Sequence, residues 1–261
     1  MLIIYAIVTE QSIGQMFVAG IIPGILLSIA FSILILILAY AVPSWVGGVE
    51  AREVADEDWA KMTFWVFIKK LFPIVLLISV VLGGIYAGIV TPVEAGAAGA
   101  LTALIIAVAK WAISWEDLWE VLVETGYIAA TILFLIITAT MYNRMLGVAG
   151  LPTQFGEWLT RMDLTIGQIM TLYVILLLLL GTILDTASII LIIVPLFLTA
   201  LDAFGIDLVW FGIVTVVGAE IGLLTPPLGI SCFVMKSTIN DPNISLFDIF
   251  TGAFPFAVTM L

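Results

Sequence analysis

Apolar residues dominate this chain in long runs, and polar positions fall between the runs or, at two places, inside them. Met1 to Thr9 is apolar but shorter than the roughly 20 residues that cross a bilayer. Ser12 and Gln15 then have the spacing of a capping box, in which each side chain bonds the other residue's backbone N–H. The pattern predicts a first full span over 19–42, with Pro23 near its start, after an arm and linker over 1–18. Residues 43–70 mix acids and bases with Trp59, Phe64, Trp65 and Phe67, which predicts an amphipathic helix lying at the interface. Three spans follow within 71–147, at 71–90, 95–111 and 127–146. Thr91-Pro92-Val93-Glu94 reads as a capping box with proline at the first helical position. Gly84 and Gly88 read as a GxxxG face for close helix packing. Ser114-Trp115-Glu116-Asp117 opens a short interfacial helix over 114–124, with Trp111, Trp115 and Trp119 as an aromatic belt.

The region 148–261 is less regular. A second surface helix is predicted over 151–162. The apolar segment 165–201 is too long for one crossing and is interrupted at Gly181-Thr182-Ile183-Leu184-Asp185-Thr186-Ala187-Ser188. An aspartate at the bilayer centre costs roughly 2.5–3.5 kcal/mol, so it needs a cation, a partner or a water-lined cavity. The segment 208–238 reads as a re-entrant hairpin, two limbs too short to span joined by Thr225-Pro226-Pro227-Leu228-Gly229. Consecutive prolines lack N–H donors and cannot continue a regular helix. Residues 245–261 begin a last crossing. Broken backbone at membrane depth survives only where it is buried in protein or lines a site.

Composition fixes the class. Of 261 residues, 63% are hydrophobic and 10% charged, and the mean hydropathy is +1.29. A soluble domain cannot hide that much apolar surface, and the runs do not alternate as barrel strands do. The expected fold is therefore an all-α polytopic membrane protein. With no histidine, His-based proton relays and Ser–His or Cys–His catalysis are excluded. The single Cys232 allows neither an internal disulfide nor a cysteine metal cluster. A net charge of −11 makes nucleic acid an implausible partner.

An internal repeat adds architecture. Ser12-Ile13-Gly14-Gln15-Met16-Phe17 is similar to Ser245-Leu246-Phe247-Asp248-Ile249-Phe250, and Gly20-Ile21-Ile22-Pro23 to Gly252-Ala253-Phe254-Pro255. An apolar arm precedes each. Repeats with broken helices at matching places mark inverted-repeat secondary transporters. On that reading Met1–Val8 is the outgoing limb of a first hairpin. Segment 43–70 holds four of the eight basic residues and is expected on the cytoplasmic side.

The candidate chemistry lies in the two interruptions. Asp185, with Thr182, Thr186 and Ser188, has the oxygens that a hard cation such as Na+ takes, and an unwound turn adds carbonyls. The alternative is that Asp185 only caps the second half-helix. Thr225, Pro226, Pro227 and Gly229 place unpaired backbone groups at a binding centre, or form an ordinary surface loop. Glu220 lies one turn before that tip and is either a core residue or part of the site. Asp185 and Glu220 are also the two carboxylates that an intramembrane enzyme would need.

Taken together, Gly84-Ile85-Tyr86-Ala87-Gly88-Ile89-Val90-Thr91-Pro92-Val93-Glu94-Ala95, Gly181 with Leu184-Asp185, Phe211-Gly212 and Ile221-Gly222-Leu223-Leu224-Thr225-Pro226-Pro227-Leu228-Gly229 are distinctive. The chain resembles the large membrane subunit, DctM type, of tripartite ATP-independent periplasmic (TRAP) transporters, and is expected to be a C-terminal fragment of one. The resemblance implies a sodium-driven, elevator-type importer of organic acids such as C4-dicarboxylates or sialic acid, in a bacterial or archaeal inner membrane. It implies a small four-helix membrane subunit and a periplasmic binding protein as partners, no enzymatic activity, and Na+ as coupling ion with no further cofactor. It places Gly181, Asp185, Thr186, Ser188, Thr225 and Pro226 around the ion, with Na+ on Asp185 and Ser188, and Thr225, Pro227, Gly229 and Glu220 around the substrate. Glu220 departs from the asparagine expected there. A related anion–sodium symporter working without a binding protein is the nearest alternative.

Overall fold

The computed structural model describes residues 1–43, 63–239 and 244–261; the segment 44–62, most of the expected interfacial helix 43–70, lies outside them. Every regular element among the described residues is helical. Among the described residues, four helical stretches are long and apolar enough to cross a membrane: Ile13–Ala41, Phe64–Tyr86, Pro92–Ala109 and Trp115–Val148. The protein is an all-α polytopic membrane protein, and it divides into two compact units.

The smaller unit covers Leu38–Leu133. Its first complete helix among the described residues, α4, starts at Phe64 and runs to Ile78, continuing through a π-helical turn, Ser79–Gly83, to Tyr86. The expected boundary at residue 70 is absent, because Lys69-Lys70-Leu71 contains nothing that breaks a helix and lysines near a helix end can reach water along their apolar stems. Helix α5, Pro92–Ala109, begins with the expected capping box: the Thr91 N–H donates to Glu94 Oε2 at 2.7 Å and the Glu94 N–H to Thr91 Oγ1 at 3.4 Å. The GxxxG reading fails. Gly88 lies beyond the helix in a left-handed turn, and Gly84 closes on Val90 of the same turn. Close helix packing falls instead on Gly99 of α5, where a Cβ would meet Val81 at 2.6 Å.

Helix α6, Trp115–Val148, begins in this unit and ends in the other. The separate interfacial helix 114–124 does not exist as such; it is the first third of one 34-residue helix. The polar junction Glu124-Thr125-Gly126 holds one helix-weakening residue, and glycine costs only about 1 kcal/mol against alanine, too little to break a long helix. At 1.5 Å per residue α6 is about 51 Å long, well beyond the ~30 Å hydrocarbon layer. A helix of that length has room to keep its acidic start, Glu116, Asp117, Glu120 and Glu124, outside the core of a bilayer.

The larger unit covers Met1–Ile37 and Phe134–Leu261. It holds α1 (Leu2–Val8), α2 (Ile13–Ala19), the start of α3 (Ile21–Ala41), the end of α6, and α7 (Leu151–Arg161). Then come α8 (Ile166–Gly181), α9 (Thr186–Phe204), α10 (Leu208–Leu223), α11 (Ile230–Thr238) and α12 (Leu246–Met260). The starts are chemically set. Ser12 accepts the Gln15 N–H at 3.4 Å, Thr165 and Gln168 form a reciprocal box, Asp207 accepts the Trp210 N–H, and Ser245 pairs with Asp248. Each such cap is worth about 1 kcal/mol. Ser245 forms a reciprocal box, whereas Ser12 only accepts.

The core of this unit gathers on α1, α8, α9 and α10. Tyr5, Met16, Tyr173, Leu177, Ile189, Ile190, Val194 and Phe211 are fully buried. The expected surface helix α7 is amphipathic, yet Phe155 packs edge-on against Phe197 of α9 at 5.1 Å and Leu159 is buried. Polar groups in this core are paired: Tyr5 Oη donates to the Leu208 carbonyl at 2.6 Å, and Tyr173 Oη and Thr215 Oγ1 lie 2.9 Å apart. Gly212 seats α1 on α10, since a Cβ there would meet the Tyr5 ring at 2.5 Å and the Met16 tip at 2.6 Å. Gly212→Ala is expected to destabilise this unit by about 1–3 kcal/mol, as overpacking does; thermal unfolding of the detergent-solubilised full-length protein reads it, and an unchanged midpoint would show that α1 moves aside freely.

Candidate functional site

Two interrupted helices meet. Helix α8 ends at Gly181, and residues 182–185 form a turn before α9 starts at Thr186. Helix α10 ends at Leu223, and 224–229 form a turn before α11 starts at Ile230. The first halves cross where both carry glycine. A Cβ on Gly181 would lie 2.7 Å from the Gly222 Cα, and one on Gly222 would lie 2.6 Å from the Gly181 Cα. A Cβ on either residue would collide with the other's backbone, so glycine on both sides permits the approach. Beyond the crossing the two turns touch: the Gly229 N–H donates to the Thr182 carbonyl at 3.2 Å.

Each turn has its own chemistry. Asp185 accepts at Oδ2 from the Ala187 and Ser188 N–H groups, at 3.0 and 3.2 Å, and at Oδ1 from the Ser188 hydroxyl. The capping reading of Asp185 therefore holds. The Asp185 side chain stays exposed. Thr182 and Thr186 are buried. Thr182 Oγ1 donates to the Leu179 carbonyl and Thr225 Oγ1 to the Ile221 carbonyl, both at 2.8 Å, so each hydroxyl oxygen keeps lone pairs to offer. In the second turn the Pro226–Pro227 bond is cis, and Pro226, Pro227 and Leu228 are exposed. Gly229 is buried with φ +47; a Cβ would strike the Phe250 ring at 2.5 Å.

Glu220 links the two halves. Thr186 Oγ1, on the first residue of α9, donates to Glu220 Oε1 on the last turn of α10 at 3.2 Å. Thus Gly181, Thr186, Glu220 and Gly229 make contacts across the two halves, whereas the hydrogen bonds of Asp185, Ser188 and Thr225 stay within their own turns. The two carboxylates that an enzyme would use are bonded to different hydroxyls, Asp185 to Ser188 and Glu220 to Thr186, and not to each other.

The electrostatics are mixed by construction. Helices α8 and α10 bring their C-terminal carbonyl ends, which favour cations; α9 and α11 bring N-terminal ends, which favour anions. The two N-termini differ. That of α9 is closed by Asp185, whereas α11 has no side-chain cap, and Pro226 and Pro227 ahead of it carry no N–H. Among the described residues no three acidic, cysteine or histidine side chains converge. A cation here would be held by hydroxyls, carbonyls and one or two carboxylates, a donor set for a hard ion.

Sequence reasoning missed the Gly181–Gly222 approach, the Thr186–Glu220 bond and the contact of Gly229 with Phe250. A glycine at the end of each half-helix was the available signal for the first. The other two depend on which elements become neighbours.

The family described as the tripartite ATP-independent periplasmic transporter, DctM component, matches residues 1–261. The chain is 31% identical over 247 residues to the C4-dicarboxylate TRAP transporter large permease protein DctM of Pseudomonas aeruginosa, covering 92% of this chain and 55% of that protein. It is 28% identical over 260 residues to the sialic acid TRAP transporter large permease protein SiaM of Vibrio cholerae, covering 99% and 58%. It is 24% identical over 261 residues to the 2,3-diketo-L-gulonate TRAP transporter large permease protein YiaN of Escherichia coli, covering 99% and 58%. The chain thus spans somewhat more than half the length of these relatives.

Gly222→Ala and Gly181→Ala should each separate the half-helices and cost about 1–3 kcal/mol. The double substitution should not be additive, because both act on one contact. Thermal unfolding of the four proteins in a double-mutant cycle measures this, and strict additivity would mean that the crossing is not a shared constraint.

Proposed function

The chain belongs to the DctM component family of tripartite ATP-independent periplasmic transporters, and from that membership we propose that it forms part of the large membrane subunit of a Na+-coupled importer of organic acids. The observation that carries the reading is the bond from the Gly229 N–H to the Thr182 carbonyl, which joins the two turns into one centre. Two carbonyl-ended half-helices and the Asp185 carboxylate favour Na+ there, with the Thr182, Thr186, Ser188 and Thr225 oxygens and the Gly181 and Pro226 backbone around it. The uncapped N-terminus of α11, reached across Thr225, Pro227 and Gly229, favours the carboxylate of an organic acid. Cation and anion then neutralise each other in a setting of low dielectric, so neither enters cheaply alone. That mutual dependence is the physical basis of coupling.

Glu220 enters this scheme as a second carboxylate near the cation, held by Thr186. Its negative charge opposes an anion and favours a bound ion first. The substrate is a C4-dicarboxylate or a sialic-acid-like acid, as for the relatives from Pseudomonas aeruginosa and Vibrio cholerae. The subunit works with a small four-helix membrane subunit and a periplasmic binding protein in the inner membrane, and moves its hairpin-bearing unit in an elevator motion. A symporter of similar architecture that dispenses with the binding protein is the second reading, and uptake measured with and without that protein separates the two.

Asp185→Asn in the full-length protein tests the ion site. Asparagine caps helices as well as aspartate does, so α9 should still form. Only the charge is removed. Na+-dependent uptake is expected to be lost while the protein remains folded by size-exclusion chromatography; unchanged uptake at both limiting and saturating Na+ would remove Asp185 from the site.

A further inference from the structure

Helix α9 carries Pro195 in its interior, and proline has no N–H to return to the carbonyl four residues earlier. That carbonyl belongs to Leu191, a buried residue one and a half turns beyond Asp185. Its missing donor comes from another helix: Asn143 Nδ2, on the last turns of α6, donates to the Leu191 carbonyl at 3.2 Å. The two other prolines inside helices, Pro73 and Pro255, free the carbonyls of Lys69 and Thr251, and no described side chain bonds to either. The arrangement at Leu191 is therefore not a general repair of proline-containing helices in this protein.

The Asn143 amide is oriented by this one bond. Its Oδ1 is buried and has no hydrogen-bond partner among the described residues. Turning the amide over would set oxygen against the Leu191 carbonyl, so the donor faces α9. A cavity of about 410 Å³ lies elsewhere in this unit, under α11 and α12, but the space flanking α6 and α9 holds Ser188 itself, together with Thr138, Tyr142 and Leu191. Asn143 thus acts on the same helix that the candidate ion site uses.

We infer that Asn143 is a positioning residue: through the carbonyl that Pro195 leaves unpaired, it fixes the first two turns of α9 and with them Asp185, Thr186 and Ser188. Without that bond the segment 186–191 is free to twist about the proline, and the oxygens at its start lose their common geometry. The inference rests on the ion-site reading for its functional consequence, but the structural link stands apart from it.

The test uses the full-length protein and four variants of one cycle: wild type, Asn143→Ala, Pro195→Ala and the double variant. Hydrogen–deuterium exchange over residues 185–194 reads the link directly, and the Na+ concentration for half-maximal uptake reads its effect on the site. N143A should speed exchange and raise the half-maximal Na+ concentration, each about tenfold, the loss of one hydrogen bond, with maximal rate within about twofold. P195A restores the N–H, so N143A/P195A should match P195A within about twofold on both readouts. A tenfold loss that persists in the P195A background, or no change in N143A, would overturn the inference. Should N143A fail to fold, recovery of folding in N143A/P195A is the expected result, and failure in both backgrounds would overturn it. Wild-type uptake that ignores Na+ would sink the ion-site reading while exchange still decides the role of Asn143.

Discussion

A backbone that leaves its helix inside hydrocarbon has nowhere to put its N–H and carbonyl groups except against other backbone. Each unsatisfied group costs several kcal/mol there. In this protein the turns 182–185 and 224–229 meet through one such bond: Gly229 gives its N–H to Thr182. The contact is possible because Gly181 and Gly222 carry no side chains where α8 and α10 cross. Everything proposed about binding follows from this approach of two helix ends.

The surrounding residues serve to hold those ends still. Asp185 closes the start of α9, Thr186 ties it to Glu220 on α10, and Asn143 reaches from α6 to the carbonyl that Pro195 exposes. Tyr5, Tyr173 and Phe211 are fully buried in the same unit, and the two tyrosine hydroxyls are bonded. The first arm of the chain, α1, seats on Gly212 of α10, so residues near the start of the sequence support a site more than 160 residues later.

Sequence features that act locally were readable in advance. The capping residues Ser12, Thr91, Ser114 and Ser245 start helices where their spacing says they should, although Ser12 makes only the forward half of its box. The interruptions at Gly181–Ser188 and Thr225–Gly229 were visible because an aspartate and two prolines are foreign to an apolar run. Where polarity changed without a breaker, the reading erred. The predicted junctions near residues 70 and 125 vanish into continuous helices, since a change from charged to apolar residues moves a helix through the interface without ending it.

By itself, then, the sequence determined membrane class, helix starts and the two places where helices must break, because these depend on residues within a turn or two of one another. Which ends meet was decided only in three dimensions. Gly222 faces Gly181, Glu220 meets Thr186, Phe250 lies against Gly229 and Asn143 finds Leu191 through the packing of distant segments. Glycines and prolines announce that a backbone will depart from the ordinary; the neighbour that departure serves is set by the global arrangement of helices, which no local spacing encodes.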